Sequence, residues 1–206
     1  MNKMELTMNI INLSAFDNSH YYKEPWEWGI IHGLVSHNWI KKIADEVKLL
    51  NFQQVASNRS DKNYSMGLIA LQQQQVKSYA LNELIRELTS DKYLIKLELF
   101  TNSKLRGREV EMNIWRYSIT DHLSPHVDKD YKHLTQLIYL NESWEAGYGG
   151  SLNILGSSSE DDIFEEILPV YNLSPLIKNC KNAWHSVSPV SLCAPSRYCL
   201  QIIYKD

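Results

Sequence analysis

Three things are scarce or missing in this sequence, and each absence excludes a class of protein. No segment approaches the ~18 uninterrupted apolar residues that a membrane-spanning helix requires, so no membrane partner is expected. No lysine- or arginine-rich stripe occurs. The 21 basic and 24 acidic residues leave a formal net charge of −3, which counts against a phosphate-binding surface and a nucleic-acid partner. Cysteine is sparse: Cys180, Cys193 and Cys199 are an odd number with no C-x-x-C pair. Free or buried thiols are therefore expected, not disulfides or a thiolate zinc site. The N-terminal "MNKMELTMNIINLS" has no long apolar run and no small-residue cleavage site, so it reads as no signal peptide. A cytoplasmic location is the expectation.

What is present is the balance of a globular chain, with 44% hydrophobic and 22% charged residues in 206. That length suffices for one domain with a sizeable core. The pattern changes near residue 105. Before it, Ile40, Ile43, Ala44, Val47 and Leu50 fall at helical spacing behind Ser36 as N-cap. A second helix is predicted from about Gln75 to Thr89, with Leu81, Leu84, Ile85 and Leu88 on one face. "DKYLIKLELF" carries a helical stripe at Leu94, Leu97 and Phe100, and a strand is the alternative there. "QQQQ", residues 72–75, is a short solvated stretch with no role.

After residue 105, short strand-like pieces alternate with turn residues: "EVEMNIWRY", "HLTQLIYLN", "GGSLNIL", "EEILPVY", "SPLIKN", "AWHSVSPV" and "RYCLQIIY". Such spacing argues an antiparallel sandwich or barrel. "GSSSEDD", 156–162, reads as a polar loop between two strands. The prediction is one α+β domain over 1–206, helical to about 105 and sheet from about 106, with the helices on one sheet. In "LTQLIYLN", Thr135, Leu137 and Tyr139 share one face, and Leu134, Gln136, Ile138 and Leu140 share the other.

Within this pattern, "SPHVDKD" places His126 and Asp128 two residues apart. Strand alternation points both side chains the same way, so both can grip one ion. An H-x-D triplet arises by chance in roughly one such chain in three, so it needs context. His122 and His126 have helical zinc spacing, but Pro125 lies between them and breaks a helix. His20, His32 and His37 fall in or beside the helical half and read as surface or packing residues. His133 stands at the mouth of a strand, where it would act behind the ligands. His185 stands in a separate strand-like segment and would complete a two-histidine, one-carboxylate face, the arrangement that holds Fe(II) with positions left open. Twelve residues later comes Arg197. A buried arginine there needs a carboxylate, and a dicarboxylate cosubstrate would supply one in a bidentate pair.

The ordered set "HVD … YLN … GYGGSLNIL … WHSVSPV … R" resembles the Fe(II)/2-oxoglutarate-dependent dioxygenases, in their prolyl-hydroxylase-like branch. "PWEWGIIHGLVSHNWIKKIADEV" is similar to that family's opening strand, turn and first helix. The resemblance spans roughly residues 24–205. It implies a double-stranded β-helix of jelly-roll or cupin type. It implies Fe(II), 2-oxoglutarate and O2, with ascorbate as an auxiliary reductant. His126, Asp128 and His185 would bind iron, and Arg197 the distal carboxylate of 2-oxoglutarate. Tyr139 would share that carboxylate, and Tyr117 would reach the cosubstrate's other end. Gly149 and Gly150 would turn the backbone into the next strand, with Leu152 packed inside. Where the family has R-x-S or R-x-T, this chain has Arg197-Tyr198-Cys199, and a thiol is a poor donor.

The implied reaction splits 2-oxoglutarate into succinate and CO2 and oxidises an unactivated C–H bond. Asp128 occupies the position that related halogenases empty for chloride, so hydroxylation is expected. The expected substrate is an amino acid or amino-acid-derived small molecule. The alternatives are a residue within a peptide or protein, and a non-catalytic binding barrel. The compact chain, with few long insertions, gives the lean towards a small substrate. Trp144, Tyr148 and Arg116 are candidate substrate contacts, and the aromatic cluster at 20–29 is read as packing with a lid as alternative.

Overall fold

The computed structural model describes residues 9–59, 62–72 and 76–206. The first eight residues of the N-terminal segment read above, and three of the four glutamines in "QQQQ", lie outside them. Three helices form where the apolar spacing places them: α1 (His37–Lys48), α2 (Tyr79–Leu88) and α3 (Asp91–Thr101). Ser78 and Ser90 cap α2 and α3 by accepting from the backbone N–H three residues on. Ser36 is the N-cap residue of α1 but makes no side-chain capping bond. "DKYLIKLELF" is helical; of its expected stripe Leu94 and Leu97 are buried and Phe100 is half-buried, and Tyr93 is buried beside them. None of the helices is long and apolar enough to cross a membrane.

Twelve strands, β1 (His20–Tyr22), β2 (Trp28–His32), β3 (Gln53–Arg59), β4 (Lys62–Ala70), β5 (Val110–Tyr117), β6 (His122–His126), β7 (Lys132–Tyr139), β8 (Leu152–Leu155), β9 (Ile163–Ile167), β10 (Leu173–Lys178), β11 (His185–Val187) and β12 (Arg197–Lys205), pair antiparallel into a curled sheet. The order is β1-β2-β10-β7-β12-β5-β4-β6-β11-β8-β9, with β3 on β4. Because β4 pairs with both β5 and β6, it joins a larger sheet to a smaller one, β6-β11-β8-β9. This is the expected jelly-roll core.

One expectation needs correction. The N-terminal half is not purely helical: it supplies four strands, and only β2 was implied by the family resemblance. β3 and β4 form an antiparallel hairpin across "QQVASNR" and "KNYSMGLIA". Its first strand is polar and mostly exposed, so it offers little of the alternating apolar signal by which strands are read.

Alternation divides the larger sheet into two faces. Leu134, Ile138 and Leu140 of the β7 segment, and Leu200, Ile202 and Tyr204 of β12, join the helix side chains Ile40, Ile43, Leu81, Leu84 and Leu97 in one core. Each such side chain contributes about 1.5–3 kcal/mol by leaving water. Gln136 falls on this apolar face, and its cost is offset by two hydrogen bonds: it accepts from Tyr93 Oη at 2.7 Å and donates to Ser174 Oγ at 2.8 Å. The other face carries Leu137, Tyr139 and Cys199 and packs towards Leu152, Ile154 and Val187 of the smaller sheet. The functional groups lie on this inner face.

Candidate active site

A cavity of about 250 Å³ opens between the two sheets. His126, Asp128 and His185 line it, all buried, with ligand atoms mutually within 4.8 Å. The register explains the convergence. His185 of β11 stands directly across from His126 at the end of β6, and their rings lie 4.2 Å apart. Each histidine's Nδ1 is 2.9 Å from a backbone carbonyl, of Ser124 and of Ala183. A carbonyl only accepts, so Nδ1 carries the proton and donates. Nε2 of each ring is thereby the lone-pair nitrogen suited to a metal.

Asp128 is held from behind. Lys132 Nζ donates to Oδ1 at 2.6 Å, and Thr135 Oγ1 donates to Oδ2 at 3.0 Å. Burial opposes ionisation of this carboxyl, but the Lys132 ammonium, joined by His185 and His126 only when they are protonated, outweighs it and holds its pKa well below the usual carboxylate range. Two neutral imidazoles and one carboxylate form an N,N,O donor set that fits Fe(II) and leaves coordination positions for other ligands.

Deeper in the cavity lies Arg197, 1% exposed. Its side-chain contacts are long: 3.4 Å to Tyr139 Oη and 3.6 Å to Cys199 Sγ. Its Nε has no partner, and no carboxylate among the described residues pairs with it. A buried guanidinium without an anion is costly, so the site is built for an incoming carboxylate. Burial pushes the Tyr139 hydroxyl up to about 12, although Arg197 pulls the other way, so it stays a proton donor at neutral pH. Cys199 is a buried neutral thiol, its pKa raised by burial. Gly149 and Gly150 both have positive φ. A side chain at Gly150 would press on Trp144, Val190 and Arg197 at 3.1–3.3 Å, so glycine there lets the backbone pass close behind the arginine.

The structure places the other expected residues differently. Tyr117 was expected at the far end of the cosubstrate, but antiparallel pairing sets it opposite Arg197. Its ring lies 4.5 Å from the guanidinium carbon, at the same end as Tyr139. Trp144 does not line the cavity; its indole donates to Gly149 O at 2.6 Å and packs edge-on against Tyr148. Trp144 and Arg197 both flank Gly150, and neither Trp144 nor Tyr148 lines the cavity. Arg116 points to the opposite face of β5, over the Phe52 ring at 5.0 Å. His133 sits 3.2 Å from Asp206, outside the cavity lining. In the aromatic cluster, Tyr22 stacks on Trp28 and the Trp26 indole donates to Leu155 O, so it packs and does not cover the cavity.

Sequence reasoning overlooked Lys132 and Thr135 as the supports of Asp128. Thr135 was legible in outline, because alternation already set it on the face of Tyr139. It also missed Tyr64 and Met66 of β4, which line the cavity, because the hairpin itself was unread.

Comparison with known proteins agrees with this geometry. Residues 112–205 match the family model of the 2OG-Fe(II) oxygenase superfamily. No curated protein sequence matches the chain. Among solved structures, a Pseudomonas putida prolyl-4-hydroxylase is similar with a TM-score of 0.65 at 15% identity, over 94% of this chain and 97% of that one. A prolyl hydroxylase from Trichoplax adhaerens, in complex with a peptide fragment of the hypoxia inducible factor oxygen degradation domain, gives 0.65 at 16% identity, over 100% and 94%. The viral collagen prolyl hydroxylase of Paramecium bursaria Chlorella virus-1, as its 2OG complex, gives 0.57 at 14%, over 86% and 95%.

Proposed function

We propose that this chain, a 2-oxoglutarate-dependent dioxygenase of the 2OG-Fe(II) oxygenase superfamily, hydroxylates an unactivated C–H bond of an amino acid or amino-acid-derived small molecule. The observation that carries the cosubstrate assignment is Arg197, fully buried with no carboxylate partner among the described residues, in one cavity with His126, Asp128 and His185.

His126 and His185 would hold iron through Nε2, and Asp128 through its carboxylate. When bound, Fe(II) with 2-oxoglutarate and O2 supplies the oxidising power, consuming the cosubstrate to succinate and CO2. The chain's own residues position and exclude. Arg197 and the Tyr139 hydroxyl would grip the distal carboxylate, with the Tyr117 ring packed against the guanidinium. Lys132 and Thr135 fix the angle of Asp128. Leu137, Leu152 and Val187 line the cavity with apolar surface and keep water from the reacting centre. Asp128 would supply a carboxylate ligand where a halide would otherwise bind, which favours hydroxylation over halogenation.

A second reading is supported by particular observations. Tyr64 and Met66 of the β3–β4 hairpin line the cavity, and the similar structures include a prolyl hydroxylase with a peptide bound. On this reading the target is a residue within a peptide or protein. Anaerobic addition of Fe(II) and 2-oxoglutarate tests the shared core. A visible charge-transfer band is expected, and it should vanish in His126→Ala. An intact protein that gives no band, with Arg197→Ala leaving 2-oxoglutarate binding unchanged, would sink the oxygenase reading. Succinate release on screening amino acids and short peptides separates the two substrate classes.

A further inference from the structure

The cavity continues past the metal ligands along β5 and β12, and its wall there is polar. Inward-facing positions on β12 run Arg197, Cys199, Gln201, Ile203, and those on β5 run Tyr117, Trp115, Asn113, Glu111; all eight line the cavity. Gln201 stands opposite Asn113 and, on its other side, Leu137. It lies four residues from Arg197, about 13 Å along the strand. A five-carbon dicarboxylate is shorter than two residues of extended chain. Anchored at Arg197, it leaves this wall uncovered.

The wall forms a chain of hydrogen bonds whose direction is fixed at both ends. At one end Lys205 Nζ lies 3.0 Å from Glu111 Oε2. Burial opposes ionisation of Glu111, but Asn113 and Lys205 prevail and lower its pKa. An ionised carboxylate only accepts, so Asn113 must turn its NH2 to Glu111, at 2.9 Å. At the other end Trp115 Nε1–H only donates, so Gln201 must turn its oxygen to it, at 2.8 Å. That same oxygen also receives Asn113 Nδ2 at 3.4 Å. Neither amide can flip without setting donor against donor or acceptor against acceptor. What remains is one acceptor, Asn113 Oδ1, and one donor, Gln201 Nε2, each without a protein hydrogen bond among the described residues.

We infer that Asn113 and Gln201 read the backbone of one extended substrate residue, Gln201 Nε2 donating to that residue's carbonyl and Asn113 Oδ1 accepting from its N–H. This rests on the oxygenase reading and narrows its substrate to a peptide-bonded or N-acylated amino acid. A free amino acid fits less well. It brings an ammonium and a carboxylate, and two full charges cost more to take out of water against two neutral amide side chains than two amide dipoles do. Sites built for a donor–acceptor pair reject ligands that leave either group unmatched.

The test uses the full chain, 15N-labelled, with Zn(II) in place of iron and saturating 2-oxoglutarate. The probes are N-acetyl amino acid amides of the twenty kinds and the matching free amino acids, titrated while the Trp115 indole and Gln201 side-chain amide resonances are followed. At least one blocked amide should give saturable shifts and bind about tenfold more tightly than its free counterpart. Gln201→Glu, which keeps the Trp115 bond but reverses the outward donor, should erase that preference. Should it fold poorly, Gln201→Met must give the same loss. Free amino acids binding as well as blocked ones overturns the inference, as does an unchanged preference in both variants, or no saturable shift with any blocked amide. Failure of 2-oxoglutarate itself to bind the wild-type protein is a different result: it overturns the oxygenase reading beneath.

Discussion

The two faces of β12 belong to one strand and answer to different physics. Leu200, Ile202 and Tyr204 face the helices and are buried among apolar side chains. Arg197, Cys199, Gln201 and Ile203, interleaved with them, face the cavity. The outer face holds the fold together by apolar burial. The inner face spends some of that stability on a buried cation and on polar groups left open. A period of two thus lets nine residues serve as scaffold and site at once.

The sharpest break in that comparison is at the metal ligands. His185→Ala should lower metal affinity by more than about a hundredfold, since even residues behind the ligands command 10–100-fold. Thermal unfolding of the metal-free variant should stay close to wild type. Metal titration and a melting curve check both, and a collapse of the fold would show His185 to be structural. On the outer face, Leu200→Ala should cost about 2–5 kcal/mol of stability. The fraction that remains folded should bind 2-oxoglutarate as before, as urea unfolding and calorimetry would reveal.

Arg197→Lys keeps the charge but loses the planar fork. Binding of 2-oxoglutarate should weaken by roughly tenfold or more, because a single-point ammonium cannot pair bidentately. Equal affinity would place the distal carboxylate elsewhere. Thr135→Val removes one of the two hydrogen bonds on Asp128, and about a tenfold loss of Fe(II) affinity should follow. The mildest change runs in the other direction. Cys199→Ser replaces a weak donor beside Arg197 with a hydroxyl and should tighten 2-oxoglutarate binding by a few-fold at most, about one neutral hydrogen bond.

The sequence made the candidate metal-binding face legible for a clear reason. Two of its three residues are i and i+2 on one strand, and the third sits in an ordered motif that ends in an arginine. The helices were legible too, because Ile40 to Val47 and Leu81 to Leu88 carry the period of their burial. The β3–β4 hairpin was not, since "QQVASNR" is polar and exposed along most of its length. Trp144 and Tyr148 were read as substrate contacts flanking the barrel mouth, but neither lines the cavity, and Trp144 packs against Gly150 instead. Lys132 could be counted in the sequence, but not aimed at Asp128.

The sequence by itself determined which faces of the helices and strands are apolar, which residue types supply two nitrogens and a carboxylate, and that a cation follows them. Those depend on local period and chemical identity. Only the tertiary structure decided what stands across from what. Tyr117 lies beside Arg197 and not at the cosubstrate's far end because β5 pairs with β12 in one register. The same register brings Asn113 to Gln201. Between them, Glu111 and the Trp115 indole fix which way each amide points, a matter of partners that no single strand carries.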